Sequence, residues 1–225
     1  MELEVLNNGN TQAYDDKTIT ITITYPTKSF QYGVYPTAGY TDMIDTEIEG
    51  GNKENNNYGD ATTIEVDAED ATTLAPEWGL FEWDISSEIP VGSTVQSASI
   101  TLYVDPGDPG GSFDFYELKK NWTETGATWN KYDGINDWQS PGAEGADDRG
   151  TTVLGTMPGT AGSHTVTLNS SGIALVQNWV NNPDTNYGVI LRGSSTAGTR
   201  YFSSENSDTA NRPKLTIEYI PAGWI

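Results

Sequence analysis

Residues 95–104, VQSASITLYV, alternate apolar and polar side chains, and this pattern constrains the fold more than any other part of the chain. A period of two is typical of a β-strand that buries one face and exposes the other. The run DPGDPGG follows at once and predicts a turn, after which residues 112–118 are expected to return as the hairpin partner. The chain should therefore contain an antiparallel sheet with one apolar face.

Short strand-like segments of the same kind recur along the whole chain. They are predicted at residues 17–25, 42–49, 61–66, 79–85, 164–168, 188–192, 200–204 and 214–219. One amphipathic helix is predicted at residues 172–181, with Ser170 or Ser171 as its N-cap and Pro183 as its stop. Residues 139–162 hold six glycines and few large apolar residues, which indicates a long surface loop. The expected fold class is all-β, an antiparallel β-sandwich or jelly roll with one short helix.

One tripeptide, Asn-Tyr-Gly, occurs at residues 57–59 and again at residues 186–188. Asn and Gly both tolerate left-handed backbone angles, so each copy predicts a tight turn that leads into a strand. The flanking sequences differ too much to indicate a duplication.

The first forty residues differ in composition from the rest. We expect an N-terminal strand and Tyr-rich arm over residues 1–40, followed by one sandwich domain over residues 41–225. Tyr32, Tyr35 and Tyr40 form an aromatic patch that predicts contact with a protein partner. The alternative is that this region is simply the first strand of the same sheet.

Five segments occur in an order that matches a known family. They are Asp45-Thr46 with NNNYGDATTIEV at 55–66, then residues 79–104, 116–130, 173–193 and 201–219. This order resembles the DNRLRE or disaggregatase-related repeat domain, which overlaps carbohydrate-binding module family ninety-six. The resemblance covers about residues 41–219 and implies a non-catalytic β-sandwich module that binds carbohydrate. Where the family has Arg-Phe-Asp, this chain has Glu82-Trp83-Asp84, and the added negative charge argues against an acidic polysaccharide as its ligand.

Residues 116–138 contain three of the seven tryptophans and pass from a strand-like run into a polar loop. Indole rings beside small polar residues serve either to close a sandwich core or to stack on a sugar. The predicted ligand-binding residues are Trp122, Trp129, Tyr132 and Trp138. We expect Trp122 and Trp129 to be buried, which leaves Tyr132 and Trp138 as the exposed candidates.

Acidic and amide side chains predict a calcium site, because Ca²⁺ takes about 6–8 oxygen ligands. The candidate ligands are Asp42, Asp45, Asn57 and Asp60. Glu144, Asp147 and Asp148 form a second candidate loop. The alternative is that both groups are solvated acidic turns, since Asx residues favour turns in any case. The chain has no cysteine and one histidine, His164, so thiolate and multi-histidine metal sites are excluded.

The formal charge of −21 bears on the partners that the chain can have. So acidic a chain repels nucleic acid and anionic lipid, and leaves neutral glycans, calcium, a basic partner or other protein subunits. No nucleophile elbow, phosphate loop or HExxH helix occurs, which argues against an enzyme. Met1-Glu-Leu-Glu lacks the basic start and apolar run of a signal peptide, and no segment is typical of a membrane span.

Two functions follow from these observations. The first is a non-catalytic carbohydrate-binding module on a cell or particle surface. The second is a structural or assembly protein, such as a viral decoration or tail-associated protein or an extracellular filament subunit, whose N-terminal arm contacts neighbours. A homo-oligomer is expected in the second case. Both place the chain outside the cell, on a cell surface or on a virion surface.

Overall fold

The computed structural model describes residues 24–69, 75–193 and 197–224. Within these ranges the chain forms eleven strands and one α-helix. The elements are β1 (Thr27–Phe30), β2 (Met43–Glu49), β3 (Thr63–Val66), β4 (Glu77–Trp83), β5 (Thr94–Val104), β6 (Ser112–Glu117), β7 (Gly155–Pro158), β8 (Gly162–Thr167), α1 (Ser170–Asn181), β9 (Val189–Gly193), β10 (Thr199–Phe202) and β11 (Lys214–Ile220). The predicted strand at 17–25 lies almost entirely outside the described residues.

The strands form two antiparallel sheets, which confirms the β-sandwich prediction. Sheet 1 has the order β1-β11-β5-β10-β3, with β8 paired to the other edge of β5. Sheet 2 has the order β2-β4-β9-β6-β7. Aromatic and aliphatic side chains fill the space between them, as shown by the edge-to-face contact of Phe113 with Tyr201 at 6.2 Å. Burial of these side chains from both sheets provides the main stabilising term.

The predicted hairpin between β5 and its successor is wrong. β5 pairs with β8, β10 and β11 in sheet 1, whereas β6 pairs with β7 and β9 in sheet 2. The DPGDPGG turn therefore carries the chain across the sandwich. A turn signal fixes a reversal of the chain and does not specify which strand becomes the neighbour.

Residues 139–162 are not a surface loop throughout. They contain β7 at Gly155–Pro158, and Leu154 and Met157 are buried in the core. The helix is confirmed, but its N-cap is Asn169, whose Oδ1 accepts hydrogen bonds from the backbone N–H of Ser171 and Gly172 at 2.9 and 3.1 Å. Asn is as good an N-cap as Ser, so the helix begins at Ser170, two residues earlier than expected.

The described part of the N-terminal region packs on its own sandwich. β1 pairs with β11, and the buried Phe30 contacts Tyr40 edge-to-face at 5.8 Å. The buried Gln31 donates its side-chain N–H to the carbonyl of Arg212 at 2.7 Å. Residues 27–40 are thus tied to the C-terminal strand region of the same chain.

The outer face of sheet 2 is covered by the segment between β6 and β7, residues 118–154, which we call the covering segment. Trp78, Leu80 and Ile190 point away from sheet 1, yet they are buried. Trp129 of the covering segment contacts Trp78 at 6.3 Å between ring centroids. The outer face of sheet 2 is therefore apolar around these residues, and the tryptophan-rich segment forms a third layer over it.

Candidate functional site

Two of the three tryptophans in the covering segment have structural roles. Trp122 is buried and donates its indole N–H to the carbonyl of Tyr187 at 3.0 Å. Trp138 is also buried, 3% exposed, and donates to the carbonyl of Thr128 at 2.9 Å. The expectation that Trp138 is exposed is wrong, because its ring packs inside the loop against Tyr132. The expectation that Trp122 is buried is confirmed.

Trp129 differs from the other two tryptophans, and the expectation that it is buried is wrong, because its ring stays partly exposed. Its ring is partly buried against Trp78 and lies between Gly50 and Gly142; a Cβ at Gly142 would collide with the indole, and one at Gly50 would lie 3.3 Å from it. No acceptor for its indole N–H lies within hydrogen-bond distance among the described residues. Trp129 therefore keeps an unused donor beside a partly exposed aromatic surface.

Tyr132 lies three residues further along the same loop and is also half-buried. Its ring contacts that of Trp138 at 5.7 Å, and Lys120 Nζ lies 5.9 Å from the ring centroid. The loop around it is held by an ion pair of Lys131 with Asp137 at 2.7 Å. The structure thus places Trp129 and Tyr132 on one ordered loop of the covering segment.

The inner face of β2 is acidic, although it faces the space between the two sheets. Asp45, Glu47 and Glu49 alternate along β2, and all three are buried. Residues of the neighbouring elements complete two groups of carboxylates, each with oxygen atoms within 4.8 Å of one another. We call them the Asp45 cluster (Asp45, Glu124, Glu205) and the Glu77 cluster (Glu47, Glu49, Glu77).

In the Asp45 cluster, hydrogen bonds join the covering segment to sheet 1. Asp45 Oδ2 accepts from the backbone N–H of Ser204 at 2.9 Å, and the backbone N–H of Asp45 donates to Glu124 at 3.0 Å. Burial and the neighbouring Glu205 hold the pKa of Asp45 well above its usual range. Burial, with Glu205 and Asp60 nearby, raises the pKa of Glu124 to about 7. Glu205 Oε2 is buried without a hydrogen-bond partner.

In the Glu77 cluster, Glu47 accepts from the backbone N–H of Glu65 on the edge strand β3 at 2.7 Å. Glu49 forms an ion pair with Lys53 at 2.6 Å. Burial raises the pKa of Glu47 to about 7, and burial with the surrounding carboxylates raises the pKa of Glu77 to about 9. A proton on these groups replaces the missing counter-charge.

The predicted metal ligands are only partly brought together. Asp45 belongs to a cluster, and Asp60 lies close enough to Glu124 to raise its pKa. Asn57 uses its side-chain amide to hold the covering segment, donating to the carbonyls of Glu124 and Ala127 at 2.7 Å each. Asp42 lies beside Asp84 at the end of β2, and its carbonyl accepts from Asp84 N–H at 2.8 Å.

The second predicted calcium loop has its carboxylates engaged by the protein. The buried Asp148 accepts from the backbone N–H groups of Gln139, Ser140 and Gly145 at 2.8–3.0 Å. Glu144 bridges Arg149 and Arg192 at 2.6 and 2.7 Å. These acids therefore organise the covering segment.

The predicted partner-contact tyrosines have different surroundings. Tyr40 is buried, and its hydroxyl donates to the carbonyls of Asp42 and Asp84 at 2.9 and 3.0 Å, so it does not present its ring to a partner as the predicted patch requires. Tyr32 is half-buried under the guanidinium of Arg212 at 5.3 Å. Tyr35 is 47% exposed.

A cleft of about 380 Å³ lies between α1 and the covering segment. Glu117, Thr152, Ser171, Leu175 and Asn178 are among its lining residues. None of the predicted site residues lines it.

Comparison with known protein families finds one match to part of the chain. The sequence model of carbohydrate-binding module family 96 matches residues 36–137, which include β2 to β6 and the first part of the covering segment. The resemblance predicted from the sequence is thus confirmed over this stretch, and with the β-sandwich fold it supports a carbohydrate-binding module. Modules of this kind are typically extracellular or surface-associated. No curated protein matches the chain.

Among the described residues, no helix is both long and apolar enough to span a membrane.

Sequence reasoning missed most of the carboxylate clusters. Glu47, Glu49, Glu77, Glu124 and Glu205 were not among the predicted ligands. A signal is present in MIDTEIE, because Ile44 and Ile48 lie on one face of β2 and acids on the other. Ile48 is buried beside Trp78, on the face of sheet 2 that the covering segment covers. The acids on the opposite face of β2 must therefore point toward sheet 1, and the sequence alone does not reveal this.

Proposed function

We propose that this protein is a non-catalytic carbohydrate-binding module whose covering segment presents Trp129 and Tyr132 to a neutral glycan. The observation that carries the proposal is the state of Trp129, whose indole N–H is unused while those of Trp122 and Trp138 are hydrogen-bonded to backbone carbonyls. A half-buried indole offers an apolar face to a sugar ring and a donor to its hydroxyls. The match to carbohydrate-binding module family 96 over residues 36–137 supports the ligand class.

The rigidity of the loop favours binding as well. Gly142 N–H donates to the carbonyl of Trp129 at 2.7 Å, and Thr128 and Lys131 form a backbone hydrogen bond at 2.8 Å. A loop already ordered in the free protein loses little conformational entropy when it binds.

Replacing Tyr132 with Ala is expected to weaken glycan binding about tenfold, the order of magnitude for removing one aromatic stacking contact. The measurement is binding of wild type and Tyr132→Ala to a glycan array, followed by calorimetry on the best neutral ligand. Tyr35→Ala is the matched control, since Tyr35 is exposed and lies outside the covering segment. Silence of the wild type on neutral and acidic glycans alike would refute the proposal.

The Asp45 cluster is the proposed calcium site. Glu205 Oε2 is buried with no hydrogen-bond partner, and no ion pair joins a Lys or Arg to Asp45, Glu124 or Glu205 in the described part of the chain. The Glu77 cluster, by contrast, already has a counter-ion, because Lys53 forms an ion pair with Glu49. Carboxylate oxygens are the ligands that Ca²⁺ prefers, and an ion here would tie β2 to the covering segment and to the end of β10.

The second candidate function is a surface structural or assembly protein, as on a virion or in an extracellular filament, in which Tyr35 contacts a neighbouring subunit. The exposure of Tyr35, on a segment that the hydrogen bond of Gln31 to Arg212 anchors to the sandwich, favours it. Sedimentation velocity over a concentration series is expected to show an oligomer for the wild type and a shift towards monomer for Tyr35→Ala, with Tyr132→Ala as control. A wild type that stays monomeric at the highest concentration contradicts this function.

A further inference from the structure

The outer face of sheet 1 carries small hydroxyl side chains that line up across its strands. Ser29 of β1 pairs with Thr216 of β11, which pairs with Ser99 of β5, which pairs with Thr167 of β8. Thr101 and Thr165 form the next row, with Lys214 beside them. We call this surface the hydroxyl face (Ser29, Ser97, Ser99, Thr101, Ser163, Thr165, Thr167 and Thr216).

The direction of these side chains follows from the pleat. The alternate residues on the same strands, such as Ile100, Leu102 and Leu215, are buried in the core. Successive side chains of a strand point to opposite faces, so the hydroxyl residues point outward. Ser29 and Thr216 hydroxyls lie 2.9 Å apart, and those of Thr101 and Thr165 lie 2.8 Å apart. The hydroxyl side chains therefore form regular rows of short side chains across the strands.

An aromatic pair adjoins the hydroxyl face. Tyr103 and Phe202 have ring centroids 4.9 Å apart with an interplanar angle of 31°. The other four phenylalanines are 0% exposed, whereas Phe202 is only half-buried. The Tyr103 hydroxyl has no hydrogen-bond partner within the described ranges. An aromatic pair left partly open beside a polar face indicates a ligand that has both apolar and hydroxyl surfaces.

The charge of this face narrows the ligand further. Lys214 and Glu218 are its charged residues away from the aromatic end, and they offset each other. At that end, Arg200 lies between Glu65 and Asp108 at 3.4 and 3.1 Å. The named side chains of this face thus sum to −1, with two cations and three carboxylates, on a chain with a formal charge of −21, and a face with so little net charge suits an uncharged ligand.

Strand propensity does not account for the rows. Threonine is enriched in β-strands in general, but serine is not, and half of the hydroxyl face is serine. Adjacent strands are about 4.8 Å apart, which is close to the length of one pyranose residue in an extended polysaccharide. A chain that lies across the strands would therefore place one sugar over each strand.

We propose that the hydroxyl face and the Tyr103–Phe202 pair form a second carbohydrate-binding surface, specific for an extended uncharged polysaccharide. Serine and threonine hydroxyls bond the sugar hydroxyls, and the aromatic pair stacks on a ring at one end. This inference rests on the proposed carbohydrate-binding function and adds a surface on the side of the sandwich opposite the covering segment. The module then contacts polysaccharide on both sides, which raises avidity for a matrix.

The test is affinity electrophoresis of the full chain in gels that contain hydroxyethyl cellulose, a soluble uncharged β-glucan. The Tyr103→Ser/Phe202→Ser double variant is expected to weaken retardation about tenfold. Thr165→Glu, which leaves the aromatic pair intact and adds charge to an exposed position, is expected to weaken it as well. Thr156→Glu, an exposed threonine on β7 of sheet 2, is the matched control and should be retarded like the wild type. Thermal melting confirms that each variant is folded.

Three results would overturn the inference, and they separate it from the proposed function. If the wild type is retarded and both sheet 1 variants are retarded equally, the second surface does not exist while carbohydrate binding stands. If the wild type is not retarded but binds other glycans through Tyr132, the ligand of sheet 1 is not an uncharged β-glucan and the inference fails. If the wild type self-associates, the Thr165→Glu variant does not, and neither binds a glycan, the hydroxyl face is a protein interface and both proposals fail.

Discussion

Replacing Gly188 with Ala is expected to lower the free energy of unfolding by about 4 kcal/mol or more. Gly188 has a φ of +71°, where a side chain costs about 1–2 kcal/mol. A Cβ at this position would overlap the carbonyl oxygen of Phe81 and come within 2.8 Å of Glu82 Cα. Both are backbone atoms near the C-terminal end of β4, so no side chain can rotate away to relieve the overlap.

Gly162→Ala separates the two causes. Gly162 has a φ of +102°, and a Cβ there would meet nothing within 4 Å. Its substitution should therefore cost only the backbone term of about 1–2 kcal/mol. Urea unfolding followed by tryptophan fluorescence measures both variants. Equal losses for Gly188→Ala and Gly162→Ala would show that the close approach to β4 is not what requires the glycine.

The same glycine shows how much of the local structure could be predicted from the sequence. In both Asn-Tyr-Gly copies, the Asn side-chain oxygen accepts from the Gly N–H at 3.2 Å, and the Asn side-chain N–H reaches a distant carbonyl. The turn prediction rested on local backbone chemistry. The reason for the second glycine, contact with β4, depends on residues a hundred positions away.

Strands that alternate with period two were predicted within a few residues, because the pattern of each is local. Their partners were not, because the neighbour of a strand is decided by packing between distant segments. β6 was assigned to β5 on the strength of one turn, although its apolar residues fill sheet 2. Distance along the chain is a weak guide in a sandwich, where connections cross between sheets.

The candidate site follows the same division. Trp129 and Tyr132 were predicted as ligand-binding residues from their type and position, and the structure keeps both partly exposed, although Trp129 was expected to be buried. Trp138 could not be separated from them by sequence, because its burial depends on the carbonyl of Thr128 and the ring of Tyr132. The acids of β2 read as surface residues until the covering segment is seen to bury the opposite face of the strand.

Raising the pH from about 5 to about 9 without divalent cations is expected to lower the free energy of unfolding by on the order of 5 kcal/mol. In the unfolded chain Glu47 and Glu77 titrate near 4.5, whereas in the folded protein their pKa values are about 7 and about 9. The folded state therefore binds more protons between these values. Its stabilisation is complete below pH 4.5 and is lost as the pH rises through 7 and then 9.

Glu77→Gln should flatten this dependence, because an amide keeps the shape of the protonated carboxyl and does not ionise. The control is Glu54→Gln, which removes an exposed carboxylate outside both clusters. Urea unfolding at a series of pH values measures the slope for each variant. A slope that is unchanged in Glu77→Gln would show that the Glu77 cluster is not its source.

Calcium distinguishes the two clusters, because a cation competes with protons for the same oxygens. At a calcium concentration of about 100 times Kd, the Asp45 cluster should stabilise the protein by about 2.7 kcal/mol at a pH of about 8. The gain should vanish near pH 5, well below the pKa of about 7 of Glu124. Asp45→Asn should remove the calcium gain and leave the pH slope of the Glu77 cluster, whereas Glu77→Gln should do the reverse. A calcium gain that survives Asp45→Asn, or that is equal at both pH values, places the ion elsewhere.

We expect the two clusters to respond to different ions for a physical reason. Lys53 already supplies a cation to the Glu77 cluster, so protons suffice there, whereas the Asp45 cluster has no such partner among the described residues.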